Sequence, residues 1–143
     1  MRMKAEDKAK WLEALRSGEY RQTDNTLSNG TAYCCLGVLE TILDGAVEKD
    51  AHGRPLSAPT CDFLVGHNIE VEVRQKHNYE GDEVGVVFPA YDYNGVYARL
   101  MELNDERWET WDPIEDEYMP SDEHVNTFLD IANYIEKNVE VYD

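Results

Sequence analysis

Tyr33-Cys34-Cys35-Leu36-Gly37-Val38-Leu39-Glu40-Thr41-Ile42-Leu43-Asp44-Gly45 is the stretch on which the fold turns. Almost every residue in it is apolar or small, and Gly45 stands where a left-handed residue ends a helix. The run reads as a buried helix, so the flanking chain must supply elements that cover it.

Upstream, Ala5, Ala9, Trp11, Leu12 and Leu15 recur at helical spacing between Met3 and Arg16, and Ser17-Gly18 closes an amphipathic helix. Tyr20 to Thr31 is polar and holds the turn signal Ser28-Asn29-Gly30, which suits a short hairpin or an ordered loop. Downstream, residues 46 to 59 read as a loop, and Pro59-Thr60 starts a brief helical turn through Cys61, Phe63 and Leu64. Ile69, Val71 and Val73 alternate with Glu70, Glu72 and Arg74 as in a half-buried strand. Glu83 to Phe88 is a second strand, joined to the first by a hairpin loop at Asn78 to Asp82. Val96 to Asn104 favours helix through Val96, Leu100 and Leu103. Ser121 to Val139 carries the strongest helical signal, with Val125, Phe128, Leu129, Ile131, Ala132 and Ile135 on one face. The sum is one α+β domain over residues 1–143, with three to four helices packed on a small antiparallel sheet.

Thirty Asp and Glu against thirteen Lys and Arg leave a formal net charge of -17. That charge disfavours direct nucleic-acid binding and attachment to anionic lipid, since both need clustered bases. The apolar share of 42%, with three Trp and nine Tyr, is too high for a disordered acidic tail. No secretory signal and no membrane-spanning run is found, and the odd set Cys34, Cys35 and Cys61 argues against a disulfide framework. A cytoplasmic protein is expected. The charge is also unevenly placed: residues 1–22 carry six bases and four acids, whereas residues 102–143 carry two bases and fourteen acids. Within the acidic part, Trp108, Trp111, Ile114, Tyr118 and Met119 are mixed among Asp112, Glu115, Asp116 and Glu117. Rigid aromatic anchors beside steering charge are what a protein-binding surface uses. The alternative is that the aromatic side chains tack a long loop to the core.

The opening Trp11-Leu12-Glu13-Ala14-Leu15-Arg16-Ser17-Gly18-Glu19-Tyr20-Arg21-Gln22, the run Tyr33 to Leu39, Leu103-Asn104-Asp105, and Phe128-Leu129-Asp130-Ile131-Ala132-Asn133-Tyr134-Ile135-Glu136 together resemble the elements of a group of small phage and prophage proteins. The resemblance covers most of the chain in order and spacing, and implies accessory phage cargo of no settled activity in a bacterial cytoplasm. In similar proteins the Leu-Asn-Asp element leads within a few residues to the Phe helix. Here the acidic, aromatic stretch 106–122 stands between them as an insert.

Cys34 or Cys35 at a helix start could serve as a nucleophile, with His52, His67, His77 or His124 as base and Asn104 or Asp105 orienting it. The competing reading makes Cys34, Cys35 and Gly37 small residues that let a buried helix pack closely. Scattered Cys and His lack zinc spacing, and Asp92-Tyr93-Asn94-Gly95 lacks the other ligands of a calcium loop, so neither metal nor cofactor is expected. Gln22, Tyr33, Asn104 and Asp105 form a candidate polar site, or equally a turn tying the final helix to Gln22. The reading that leads is a non-enzymatic acidic protein that engages a basic, nucleic-acid-binding host protein, by way of Trp108, Trp111, Asp112, Glu115, Asp116, Glu117 and Tyr118. The alternatives are a binder or sponge for a small nucleotide and a Cys-dependent hydrolase.

Overall fold

The computed structural model describes residues 1–74, 76, 77, 83, 84, 90–92 and 94–142. The α+β class is the one observed, with five helices among the described residues where three to four were expected. The helices are α1 (Ala5–Arg16), α2 (Cys35–Asp44), α3 (Cys61–Gly66), α4 (Val96–Asp105) and α5 (Phe128–Asn138). The strands are β1 (Arg2–Met3), β2 (Val73–Arg74), β3 (Lys76–His77), β4 (Glu83–Val84), β5 (Ala90–Tyr91), β6 (Arg107–Asp112), β7 (Glu117–His124) and β8 (Glu140–Val141). They pair two by two: β1 with β8 in parallel, and β2 with β5, β3 with β4 and β6 with β7 antiparallel.

α2 is the buried helix its composition demands. Cys35 to Glu40 are all buried, and Gly45 caps the end at φ 83°. At the start, Cys34 Sγ accepts from the Gly37 N–H at 3.3 Å and so covers one of the donors a helix leaves open. α1 lies against it through Trp11 and Leu15, and the Trp11 indole N–H donates to the Cys35 carbonyl at 2.9 Å. α1 also packs on α5, whose buried face is Phe128, Ile131, Ala132 and Ile135. The core joins these residues to Met3, Leu27, Phe63, Leu64, Ile69, Tyr97, Leu100 and Val139.

Gly37 decides how close α2 can come to the preceding loop. A Cβ there would stand 1.8 Å from the Leu27 carbonyl oxygen and 2.7 Å from its carbon. Only a residue without a side chain permits that approach. The loop 20–33 is ordered by isolated bridges from Tyr33 to Gln22 and to Ser28 rather than by a hairpin of its own.

Two expectations are corrected in position. The final helix starts at Phe128, not Ser121, because Thr127 and Asp130 form a reciprocal capping box. Ser121 to His124 belong instead to β7. The strand expected from Ile69 begins at Val73. Ile69 itself is buried in the core, and Glu70 bridges to Arg2 outside any ladder. β3 and β4 flank the expected hairpin loop, while Asn78–Asp82 and residues 85–89 lie outside the described residues. None of the described helices is long and apolar enough to cross a membrane.

Candidate functional site

The acidic, aromatic stretch is a β-ribbon. β6 and β7 run antiparallel with Glu109 opposite Pro120, Thr110 opposite Met119, Trp111 opposite Tyr118 and Asp112 opposite Glu117. The turn between them is built on Asp112, whose Oδ1 accepts from Ile114 N at 2.9 Å and Glu115 N at 3.4 Å. Asp116 completes the reversal at φ 54°, a left-handed conformation that Asp tolerates better than most residues.

Residues opposite one another in a ladder share a face, and alternate pairs take alternate faces. Glu109, Trp111, Tyr118 and Pro120 therefore share one face, and Thr110, Asp112, Glu117 and Met119 the other. Trp108 stands at the irregular step of the ladder between Arg107 and Glu109. Neither face is covered: Trp108 is 56% exposed, Trp111 49%, Tyr118 65% and Ile114 89%. The aromatic side chains thus do not tack a loop to the core. Trp111 and Tyr118 meet edge to face, with centroids 5.2 Å apart, as a preformed aromatic pair. Of the acids named from sequence, Glu115, Asp116 and Glu117 are exposed, while Asp112 is half-buried and engaged in the turn.

An isolated two-stranded ribbon is marginal in water, so its root matters. Arg107 Nε donates to Asp24 Oδ2 at 2.6 Å, and its Nη1 donates across the ribbon to the Ser121 carbonyl at 3.2 Å. The Arg107 guanidinium holds the Asp24 carboxyl below its usual range, against the opposing effect of burial. His124, opposite Arg107, has a buried Nε2 without a hydrogen-bond partner, and burial together with Arg107 pulls its pKa down. Asp24 was not singled out from sequence, and no local signal marks it, because it meets Arg107 across 83 residues, whereas His124 was named only as a candidate base for a thiol. The turn did carry a signal in Asp112-Pro113, a dipeptide that favours turn initiation.

Gln22, Tyr33, Asn104 and Asp105 are brought together at the same root. Asn104 is 1% exposed, and its Oδ1 accepts from the Cys35 N–H at 3.1 Å and from Gln22 Nε2 at 3.4 Å. Its Nδ2 donates to the Thr23 carbonyl at 2.8 Å and to Asp105 Oδ1 at 3.1 Å. Gln22 Nε2 also donates to the Asn126 carbonyl at 3.0 Å, just before α5. Tyr33 pairs with this segment through its backbone and meets Tyr20 edge to face. One amide therefore joins the start of α2, the end of α4 and the loop 20–33, and Gln22 extends the link to α5.

The thiols differ from an activated pair. Burial pushes Cys34 up to about 11 and Cys35 well above its ordinary value. His67 engages Asp44 at 2.8 Å, and His52 sits in an exposed turn, while the side chain of His77 lies outside the described residues. Among the described residues no three His, Cys, Asp or Glu side chains converge to hold a metal ion. A concavity of about 430 Å³ is lined by Ser28, Asn29, Tyr33 and Val47, and Lys49 is the sole base among its lining residues.

One titratable group the sequence reading passed over is Glu40. It is fully buried on α2, and its Oε1 accepts from the Glu48 N–H at 2.9 Å. Burial, reinforced by the neighbouring Glu48 carboxylate, pushes it up to about 8. Glu48 is held below its usual value in spite of burial by bonds from Glu40 and from Thr60, whose N–H and hydroxyl donate at 2.8 and 2.5 Å. The pair therefore stands at neutral pH as a carboxylic acid beside a carboxylate.

Fold and site together define an α+β domain that presents an acidic aromatic ribbon from a hydrogen-bonded root. Residues 3–139 match the model of a family described as a domain of unknown function (DUF8296), and the chain belongs to that family. No curated protein and no solved structure matches it.

Proposed function

We propose that this is a non-enzymatic binding protein whose ribbon engages a basic host protein, and that it serves a phage or prophage as an accessory or counter-defence factor in a bacterial cytoplasm. The observation that carries the reading is the ribbon itself. It exposes Trp108, Trp111 and Tyr118 on a two-stranded element otherwise rich in carboxylates. Large aromatic side chains exposed together mark an interaction surface, and the surrounding acids select a partner of positive charge. A groove built for nucleic-acid phosphates offers such charge, so a restriction or CRISPR effector is the kind of target that fits.

The other two readings gain less support. A nucleotide sponge needs converging bases, whereas the concavity beside Lys49 has one. A Cys-dependent hydrolase needs a thiolate, whereas burial keeps Cys34 and Cys35 protonated. The deciding experiment is affinity capture from bacterial lysate with the full chain and with a chain lacking residues 106–120, each at low and high salt. A basic protein captured only by the full chain, and released as the screening length falls from about 10 Å to about 3 Å, is the expected result. Equal capture with and without the ribbon would overturn the proposal.

A further inference from the structure

The two faces of the ribbon are not equivalent, and the difference points to a mode of binding. Glu109 and Pro120, which share a face with the Trp111–Tyr118 pair, also line a concavity of about 380 Å³ at the ribbon's root, together with Asp24, Asn25, Asp105 and Arg107. The aromatic pair and the concavity are thus continuous along one side. Three carboxylates border the concavity, and its one base, Arg107, is held by Asp24 at 2.6 Å. The opposite face carries Thr110 and Met119, with Asp112 set against Glu117, and has no aromatic pair.

Resting on the binding role proposed above, we infer that this face takes an extended, arginine-bearing segment of another protein, with one guanidinium over Trp111 and a second in the concavity between Glu109 and Asp105. Trp gives the strongest cation–π platform, and the T-shaped contact with Tyr118 keeps the ring in place. Arginine suits both positions, because its planar group stacks on an aromatic face and also forks onto carboxylates. A second copy of this chain is a poor occupant. Residues 106–124 carry eight acids against Arg107, and two such ribbons repel. A nucleic acid is excluded by the same charge.

The test uses the full chain and two fluorescent dodecapeptides, one alternating arginine with serine and one alternating lysine with serine. Indole N–H resonances of Trp11, Trp108 and Trp111 are followed by NMR, and affinities by anisotropy. The expected result is that the arginine peptide shifts the Trp111 resonance and leaves Trp11 unmoved. Trp111→Ala should weaken binding about tenfold, the scale of a cation–π contact, while Met119→Ala on the other face changes it less than about twofold. Both variants keep the net charge. Trp111→Phe retains a ring and should keep most of the affinity, which separates loss of the platform from loss of the ribbon's fold. Arginine peptide bound with Trp111 unmoved, or weakened equally from both faces, overturns the face assignment while the capture experiment still decides the ribbon's role. Equal affinity of the lysine peptide overturns the preference for arginine, and no binding of either peptide at low salt overturns the inference as a whole.

Discussion

Gly37→Ala adds one methyl group at the most crowded point of the fold. The new Cβ would lie 1.8 Å from Leu27 O and 3.1 Å from Leu27 Cα. Against an ordinary carbon–oxygen contact of about 3.3 Å, the overlap is roughly 1.5 Å. It falls on backbone, which cannot rotate aside. Leu27 is fully buried, its N–H donates to Leu56 O at 2.8 Å, and its carbonyl accepts from Cys34 N at 3.3 Å. Retreat of Leu27 therefore strains both bonds. Overpacking costs about 1–3 kcal/mol and a weakened buried hydrogen bond about 1 kcal/mol more. Alanine returns up to about 1 kcal/mol as a better helix former. The net loss is about 3 kcal/mol, since a clash with backbone sits at the upper end of the overpacking range. For a domain of this size that lowers Tm by about 6–12 °C. Urea unfolding and a thermal melt, both followed by circular dichroism, read the change directly. If Gly37→Ala is as stable as the parent or more so, the close approach of α2 to Leu27 is wrong and only the helix-propensity gain is being seen.

Three further outcomes are expected. Asn104→Ala leaves the Cys35 N–H and the Thr23 carbonyl without their side-chain partner and should cost about 2–4 kcal/mol, whereas Asp105→Ala, which loses bonds at a half-buried group, should cost about 1 kcal/mol; urea midpoints distinguish the two. Glu40 binds a proton in the folded state up to about pH 8 but releases it near 4.5 when unfolded, so folding takes up a proton between those values and stability falls as pH rises through that window. Glu40→Gln, which keeps the acceptor for Glu48 N–H, should flatten that slope and be the more stable protein at pH 8; an unchanged slope would show that Glu40 is not the group responsible. A thiol reagent should label Cys61 rapidly in the native protein and reach buried Cys34 and Cys35 only on unfolding; rapid native labelling of either buried thiol would revive the nucleophile.

Much of the helical frame was legible because a helix with one wet face writes its burial into the sequence at fixed spacing. α1 and α4 follow that rule through Trp11, Leu15 and Leu100, and α2 announces itself by lacking a wet face. The ribbon was legible in composition but not in conformation. A strand shows itself by alternation only when one face is buried, and β6 and β7 are wet on both. Val125 fell at helical distance from Phe128 and drew the final helix forward over Ser121–His124. The capping box at Thr127 and Asp130 was there to be read and marks the true start. The polar cluster was partly legible: Gln22, Tyr33, Asn104 and Asp105 stood out as polar residues within the elements that carry the family resemblance. Their meeting, and the part Asp24 and His124 play beside them, depends on contacts between residues far apart in sequence.

The pairing of β1 with β8 bears on how the protein is made. Met3, fully buried, lies opposite Val141, and Lys8 of α1 donates at 2.7 Å to the Val139 carbonyl just past α5. Elements far apart in sequence thus dock against one another, α1 with α5 and β1 with β8. At about 5–20 residues per second, α1 and its Trp11 wait on the order of ten seconds for α5 and β8. For that interval the apolar face of α1 lacks its partners, and the native core can close only once α5 and β8 have been made.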